Sequence, residues 1–178
     1  MAFHILDTRI EWLAEGERPA RGEALVIPAN DHLWMLSGPG LELKRSLGKE
    51  VELEAVRQGP LEPGALAVTA GEKAGYRMIF HAVVMGQYQH WVAGAGRRAV
   101  LALCERAGRE KLSSLAVFPL YRGIHGRREG PAEEMLSGFL EGLQSAPGPK
   151  VVSILFSGAE EKNLLHHTLV RLLGQPRG

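Results

Sequence analysis

The residues best suited to chemistry lie between Pro28 and Gly40 and again between Pro119 and Gly126. Asn30 has a carboxamide that can donate and accept, and Ser37, Gly38 and Gly40 follow it. The second stretch carries Arg122, Gly123, Ile124, His125 and Gly126. The first stretch follows the apolar run Ala24-Leu25-Val26-Ile27 and precedes a helical pattern from Leu41 to Leu47. A strand that empties through a glycine-containing turn into a helix N-terminus gathers backbone N–H groups and partial positive charge. That is the chemistry of an anion site.

The elements that must position these loops follow from apolar periodicity. Phe3 to Leu6 reads as a first strand closed by Asp7, with Arg9 to Ala14 either extending it or forming a turn of helix. Ala24 to Pro28 is apolar without alternation, as expected of a strand covered on both faces. Val51 to Val56 continues the helical pattern beyond Gly48, and strands follow at Ala65 to Thr69 and Met78 to Met85. Val92 to Arg109 puts Val100, Leu103, Cys104 and Ala107 on one helical face. Then come a strand at Ser114 to Phe118, a helix from Pro131, a strand at Val151 to Phe156 and a final helix carrying Leu164, Leu165, Thr168, Leu169 and Leu172 inward. This alternation predicts an α/β domain, three layers around a mixed, mostly parallel central sheet. Ligands in such sheets bind beyond the carboxyl ends of the strands. Parallel strands would bring the Asn30 loop, the Gly123–Gly126 loop and Ser157-Gly158 to one rim.

The 178 residues suit a single domain over 1–178 with a core large enough to fold unaided. With 45% hydrophobic and 23% charged residues, the composition is that of an ordinary globular protein. The formal net charge of +1 gives no global field to recruit nucleic acid or membrane, so neither is an expected partner. Basic pairs such as Lys44-Arg45 and Arg127-Arg128 read as solvated faces. The one cysteine, Cys104, excludes an intramolecular disulfide and reads as a buried small hydrophobe. No basic and apolar leader and no run of about 20 apolar residues stand in the sequence, which makes a cytoplasmic location the expectation. The seven histidines show no ligand spacing, so neither metal nor cofactor is expected. Tyr88, His90 and Trp91 suggest an exposed aromatic patch and, through it, a homo-oligomer contact.

Taken together, Leu25-Val26-Ile27-Pro28-Ala29-Asn30, Leu33-Trp34-Met35, and Lys44-Arg45-Ser46-Leu47-Gly48 resemble the first signature of the macro domain. Ile79 to Gly86 resembles that family's next strand, and Phe118-Pro119 through Gly126 its second loop. The resemblance runs from about Glu23 to Leu172. It implies an α/β/α module that binds ADP-ribose, free or attached to protein, nucleic acid or acetate, and some members hydrolyse such adducts. It implies that Asn30 touches the distal ribose and is the residue through which a hydrolase would act. Ala29, Ser37, Gly38 and Gly40 in the first loop, and Pro119, Arg122, Gly123, Ile124, His125 and Gly126 in the second, would line the ligand. Phe156 and Ser157 would flank the ribose and adenine side, and Asp7 would receive the adenine amino group.

The departures from the family pattern are as informative. Ile27 replaces an asparagine, Leu36 and Ser37 replace glycines, and Pro39 removes a backbone donor while fitting the first turn of a helix. Gly40 stands where some hydrolytic members carry an aspartate, and Glu42 sits on a helix start where it complements the dipole. Arg122 replaces a small residue; it reads either as a guanidinium that replaces lost donors to a diphosphate or as a surface arginine. Three functions follow: a binding module for ADP-ribose or a related nucleotide diphosphate, an ADP-ribosyl hydrolase, or a non-binding scaffold whose cleft Leu36 or a second chain would fill.

Overall fold

The computed structural model describes residues 2–17, 22–145 and 147–174. The chain opens with β1 (Ala2–Ile5) and β2 (Thr8–Ala14), which form an antiparallel hairpin. Leu6 takes the tight turn with a φ of +49°, and Asp7 completes it. Arg9 to Ala14 therefore neither extends the first strand nor forms helix: the turn reverses the chain, and Ile10 is buried in the core.

After β3 (Ala24–Asn30) come α1 (Gly38–Leu47), α2 (Glu50–Val56), β4 (Leu66–Ala70) and β5 (Met78–Met85). The remainder alternates α3 (Ala95–Arg109), β6 (Ser114–Val117), α4 (Glu129–Ser145), β7 (Val151–Phe156) and α5 (Ala159–Gly174). The strands lie in the order β1-β2-β7-β6-β3-β5-β4. β2, β7, β6, β3 and β5 are parallel to one another, while β1 and β4 run antiparallel at the two edges. The expected mixed, mostly parallel sheet is what forms.

Period-two alternation divides the strands between two cores. Val26, Phe80, Val84, Leu115, Val117 and Ile154 face α3, α4 and α5. Leu25, Ile27, Ala29, Ile79 and Ala116 face α1 and α2, which supply Leu43, Val51 and Ala55. β3 is buried along its whole length because helices cover both faces, which is why it reads as an unbroken apolar run.

Two helix starts differ from the sequence pattern by three residues. α1 starts at Gly38, three residues before Leu41, because Ser37 is its N-cap and Pro39 needs no N–H partner in the first turn. α3 starts at Ala95 and not Val92: Val92 donates back to Val84 O, and Gly94 takes a left-handed φ of +76°. Residues 86–94 thus form a loop that folds over the end of β5.

Candidate functional site

The parallel strands end on one rim, which carries the loops after Ala14, Asn30, Met85, Val117 and Phe156. Asn30 closes β3, where the register against β5 shifts between Ala29 and Asn30. Its Oδ1 accepts from the His32 and Trp34 N–H groups at 3.2 and 3.1 Å, and its Nδ2 donates to Trp34 O at 2.8 Å. The side chain is 1% exposed, so this carboxamide is committed to its own loop. Leu33 and Met35 anchor that loop in the core beneath, and Met35 N–H donates to Glu52 at 2.7 Å.

Beyond it, the first loop meets the second. Ser37 Oγ lies 3.0 Å from Gly123 O and 2.9 Å from Gln89 Oε1. One hydroxyl proton cannot serve both acceptors fully. With the Gln89 carboxamide turned over, Nε2 donates to Ser37 and the hydroxyl donates to Gly123. Gly38 and Gly123 have φ values of +55° and +85°. A Cβ on Gly38 would stand 3.1 Å from Arg122 O, and one on Gly123 would stand 2.6 Å from Ser37 Oγ. Both positions require glycine because the two backbones touch there. The cavity left beside this seam, lined by Asn30, Met35, Ser37, His81 and Gln89, is about 10 Å³, room for one water.

The other half of the rim is charged. Arg122 Nε and Nη2 reach Glu161 at 3.2 and 2.5 Å, and Nη1 reaches Glu15 at 2.8 Å. The guanidinium lies over the Phe118 ring, 5.4 Å from its centroid. Glu15 continues the pairing of β2 with β7 through a bond from its N–H to Phe156 O. Glu161, in the first turn of α5, also accepts from Ser157 N–H and Oγ. Burial opposes charge on Glu161, but the Arg122 and Ser157 hydrogen bonds and the Arg122 charge outweigh it and hold its pKa below the usual carboxylate value. Burial likewise opposes the Arg122 charge, and the two carboxylates more than restore it. Beside this triad opens a pocket of about 480 Å³ lined by Glu15, Ile27, Pro39, Leu43, Phe118 and Leu155 among others.

No family model matches the chain. A protein of Aeropyrum pernix is 32% identical over 110 residues, 60% of this chain and 57% of its own length. One of Aquifex aeolicus is 29% identical over 105 residues, 58% of this chain and 64% of its own length. Both are uncharacterized proteins, and the match spans less than two thirds of either. Among solved structures, an Oceanobacillus iheyensis macrodomain, a point mutant, superposes with a TM-score of 0.83 at 18% identity over 97% of both chains. A second point mutant of it, solved with ADPR, gives 0.79 at 17% identity over 98% and 99%. The macrodomain of Thermus aquaticus DarG gives 0.66 at 22% identity over 83% of this chain and 97% of that one. This is the macrodomain fold.

On that fold, Ala29, Asn30, Ser37, Gly38, Gly40, Pro119, Arg122, Gly123, Phe156 and Ser157 stand on or just under one rim. Ile124 packs against the core, His125 is exposed and bonded through its N–H to Gln89 O, and Gly126 borders the first turn of α5. Asp7 does not join them. Its hairpin turn lies at the amino ends of the parallel strands, next to Thr8, whose hydroxyl bonds to Pro149 O before β7 begins. The acidic group at the carboxyl end of β2 is Glu15. Arg122 is neither free to meet a phosphate in this conformation nor a solvated surface arginine, because two carboxylates hold it. Leu36 is 51% exposed and lines neither the small cavity nor the pocket of about 480 Å³; it is Ser37 that bridges the two loops.

Glu15, Gln89 and Glu161 escape the sequence reading. Glu161 carries the one available signal, an acidic residue in the first turn of a helix just after a serine. Gln89 sits at a positive φ of +62°, which nothing in its residue type announces. The His81 imidazole, on β5, bonds to Thr69 Oγ1 at 2.8 Å, and burial lowers its pKa to about 4. Burial pushes the Cys104 thiol up to about 12, consistent with an inert core residue. No cluster of three or more His, Cys, Asp or Glu with metal-binding geometry occurs among the described residues. Among them, too, no helix is long and apolar enough to cross a membrane.

Proposed function

We propose that the chain binds ADP-ribose, free or on an ADP-ribosylated molecule, or a related nucleotide diphosphate. The observation that carries this reading is the meeting of two left-handed glycines, Gly38 at the start of α1 and Gly123 in the loop after β6, next to an open, largely apolar pocket. Backbone N–H groups at such glycine turns, beside the N-terminus of α1, suit a diphosphate. The pocket walled by Phe118, Pro39 and Leu155 suits the flat base attached to it. The fold supports the same reading, since macrodomains of this shape have been solved with ADP and ADPR.

The test is calorimetry and thermal shift with ADP-ribose, ADP, AMP and ribose phosphate. A ligand at about 100 times its Kd stabilises the folded state by about 2.7 kcal/mol. ADP-ribose is expected to raise Tm more than AMP or ribose phosphate. No heat and no stabilisation with any of them at millimolar concentration would overturn the proposal.

Hydrolysis draws less support. Both ends of the Asn30 carboxamide are bonded within the loop, and no carboxylate stands at Gly40 to act as general base. Of the two occupants that a scaffold role would put in the cleft, Leu36 does not line the pocket.

A further inference from the structure

We propose that Arg122 is a gated anion receiver: Glu161 and Glu15 hold its guanidinium until a phosphate of the incoming ligand displaces them. The inference rests on the nucleotide-diphosphate reading above and adds the step by which that ligand enters.

Three separate elements meet at this guanidinium. It belongs to the second loop, Glu15 to the end of β2, and Glu161 to the first turn of α5. The side chains of Arg122 and Glu161 are 14% and 5% exposed, so the pair is buried, while Glu15 is 33% exposed and in reach of water. A guanidinium fork donates to a carboxylate and to a phosphate in the same geometry, so one can replace the other. Two carboxylates on one cation leave a local excess of negative charge. An incoming diphosphate meets that charge as repulsion until the carboxylates withdraw.

The site has a second arrangement ready. Glu161 keeps the Ser157 N–H and hydroxyl as donors after Arg122 leaves it, so release does not strand a buried carboxylate. Glu15 can turn into solvent. Phe118 supports the guanidinium from below and also lines the apolar pocket, which places the receiver within reach of a ligand lodged there. The same backbone at Arg122 and Gly123 touches Gly38, so a phosphate drawn to Arg122 arrives at the seam between the two loops.

The exchange is tested by calorimetry with ADP-ribose on the wild-type chain and on Glu161→Gln, Glu15→Gln and Arg122→Ala, each checked by thermal melting. Glutamine at position 161 still offers an oxygen to the Ser157 N–H, and Glu15→Gln leaves that cap untouched, so at least one carboxamide variant keeps the fold. Each is expected to bind about tenfold more tightly than wild type, the scale of one charge-assisted hydrogen bond, and Arg122→Ala about tenfold more weakly. Wild-type binding with no gain in either carboxamide variant overturns the exchange and leaves the ADP-ribose reading standing. Arg122→Ala binding as tightly as Glu161→Gln also overturns it, since the arginine would then be only a plug. Absence of binding in all four proteins overturns both.

Discussion

The two halves of the rim are closed by different physics. On the β3 side, neutral hydrogen bonds do the closing: Asn30 fixes the first loop internally, Ser37 ties it to Gln89 and Gly123, and about 10 Å³ of space is left. On the β2 and β7 side, one cation and two carboxylates bridge the strands beside a pocket of about 480 Å³. Neutral hydrogen bonds hold geometry and cannot be drawn away by a ligand's charge. An ion pair can be exchanged for another ion. The difference assigns shape to the first half and response to the second.

The charged half gives the largest expected effect. Glu161→Ala leaves a mostly buried guanidinium with Glu15 alone and uncaps Ser157, at a cost of about 3–5 kcal/mol in urea unfolding. Because the folded pKa of Glu161 lies below its ordinary value of 4.5, its contribution is present above about pH 4.5 and is lost as pH falls through the lower folded value. The gap between wild type and variant should therefore close in acid. A gap that stays constant down to pH 3 would mean the carboxylate is not what holds Arg122.

Asn30→Ala breaks the neutral half. It leaves the Trp34 and His32 N–H groups and the Trp34 carbonyl without their partner, and should cost about 3 kcal/mol. That loss should be independent of pH, unlike the one at Glu161. If it exceeds the Glu161→Ala loss, the neutral network is the stronger clamp and the ranking of the two halves is reversed.

His81 puts a titrating group under the neutral half, where it borders the small cavity. Its folded pKa is depressed from 6.5 to about 4 by burial, so the unfolded chain takes up a proton that the folded one refuses. Stability therefore falls as pH drops from about 6.5 to about 4, by about 3 kcal/mol in all. His81→Gln should flatten that slope. A His81 imidazole signal, identified by its loss in His81→Gln, that titrates near pH 6.5 in the folded protein would refute the assignment.

The fold was more legible in the sequence than the site because its determinants are local and repeated. An apolar run such as Ala24 to Ile27 states its burial on both faces, and five helices announce themselves by periodicity among the described residues. The loops at Asn30 and Gly123 were also legible, since glycine and asparagine mark turns. The partners of Arg122 were not. Glu15 and Glu161 lie 107 and 39 residues from it, and no spacing rule links charges over such distances. Asp7 stands apart from the site for a related reason: a two-residue turn reverses the strand direction and leaves the residue at the opposite rim.

The smallest effect separates two buried carboxamides on the same half of the rim. Asn30 makes three hydrogen bonds inside its loop, whereas the Gln89 side chain makes one, to Ser37. Gln89 also holds a φ of +62°, a conformation that costs a residue with a Cβ about 1 kcal/mol relative to glycine. Gln89→Gly relieves that strain and gives up one neutral hydrogen bond of about 1 kcal/mol, so the two terms nearly cancel. Its unfolding free energy should lie within about 1 kcal/mol of wild type, against about 3 kcal/mol for Asn30→Ala. Its backbone bonds, N–H to Gly86 O and O from His125 N–H, survive the change and keep the 86–94 loop on the second loop. A loss as large as that of Asn30→Ala would show that the Gln89 side chain, and not its backbone, locks the third loop to the rim.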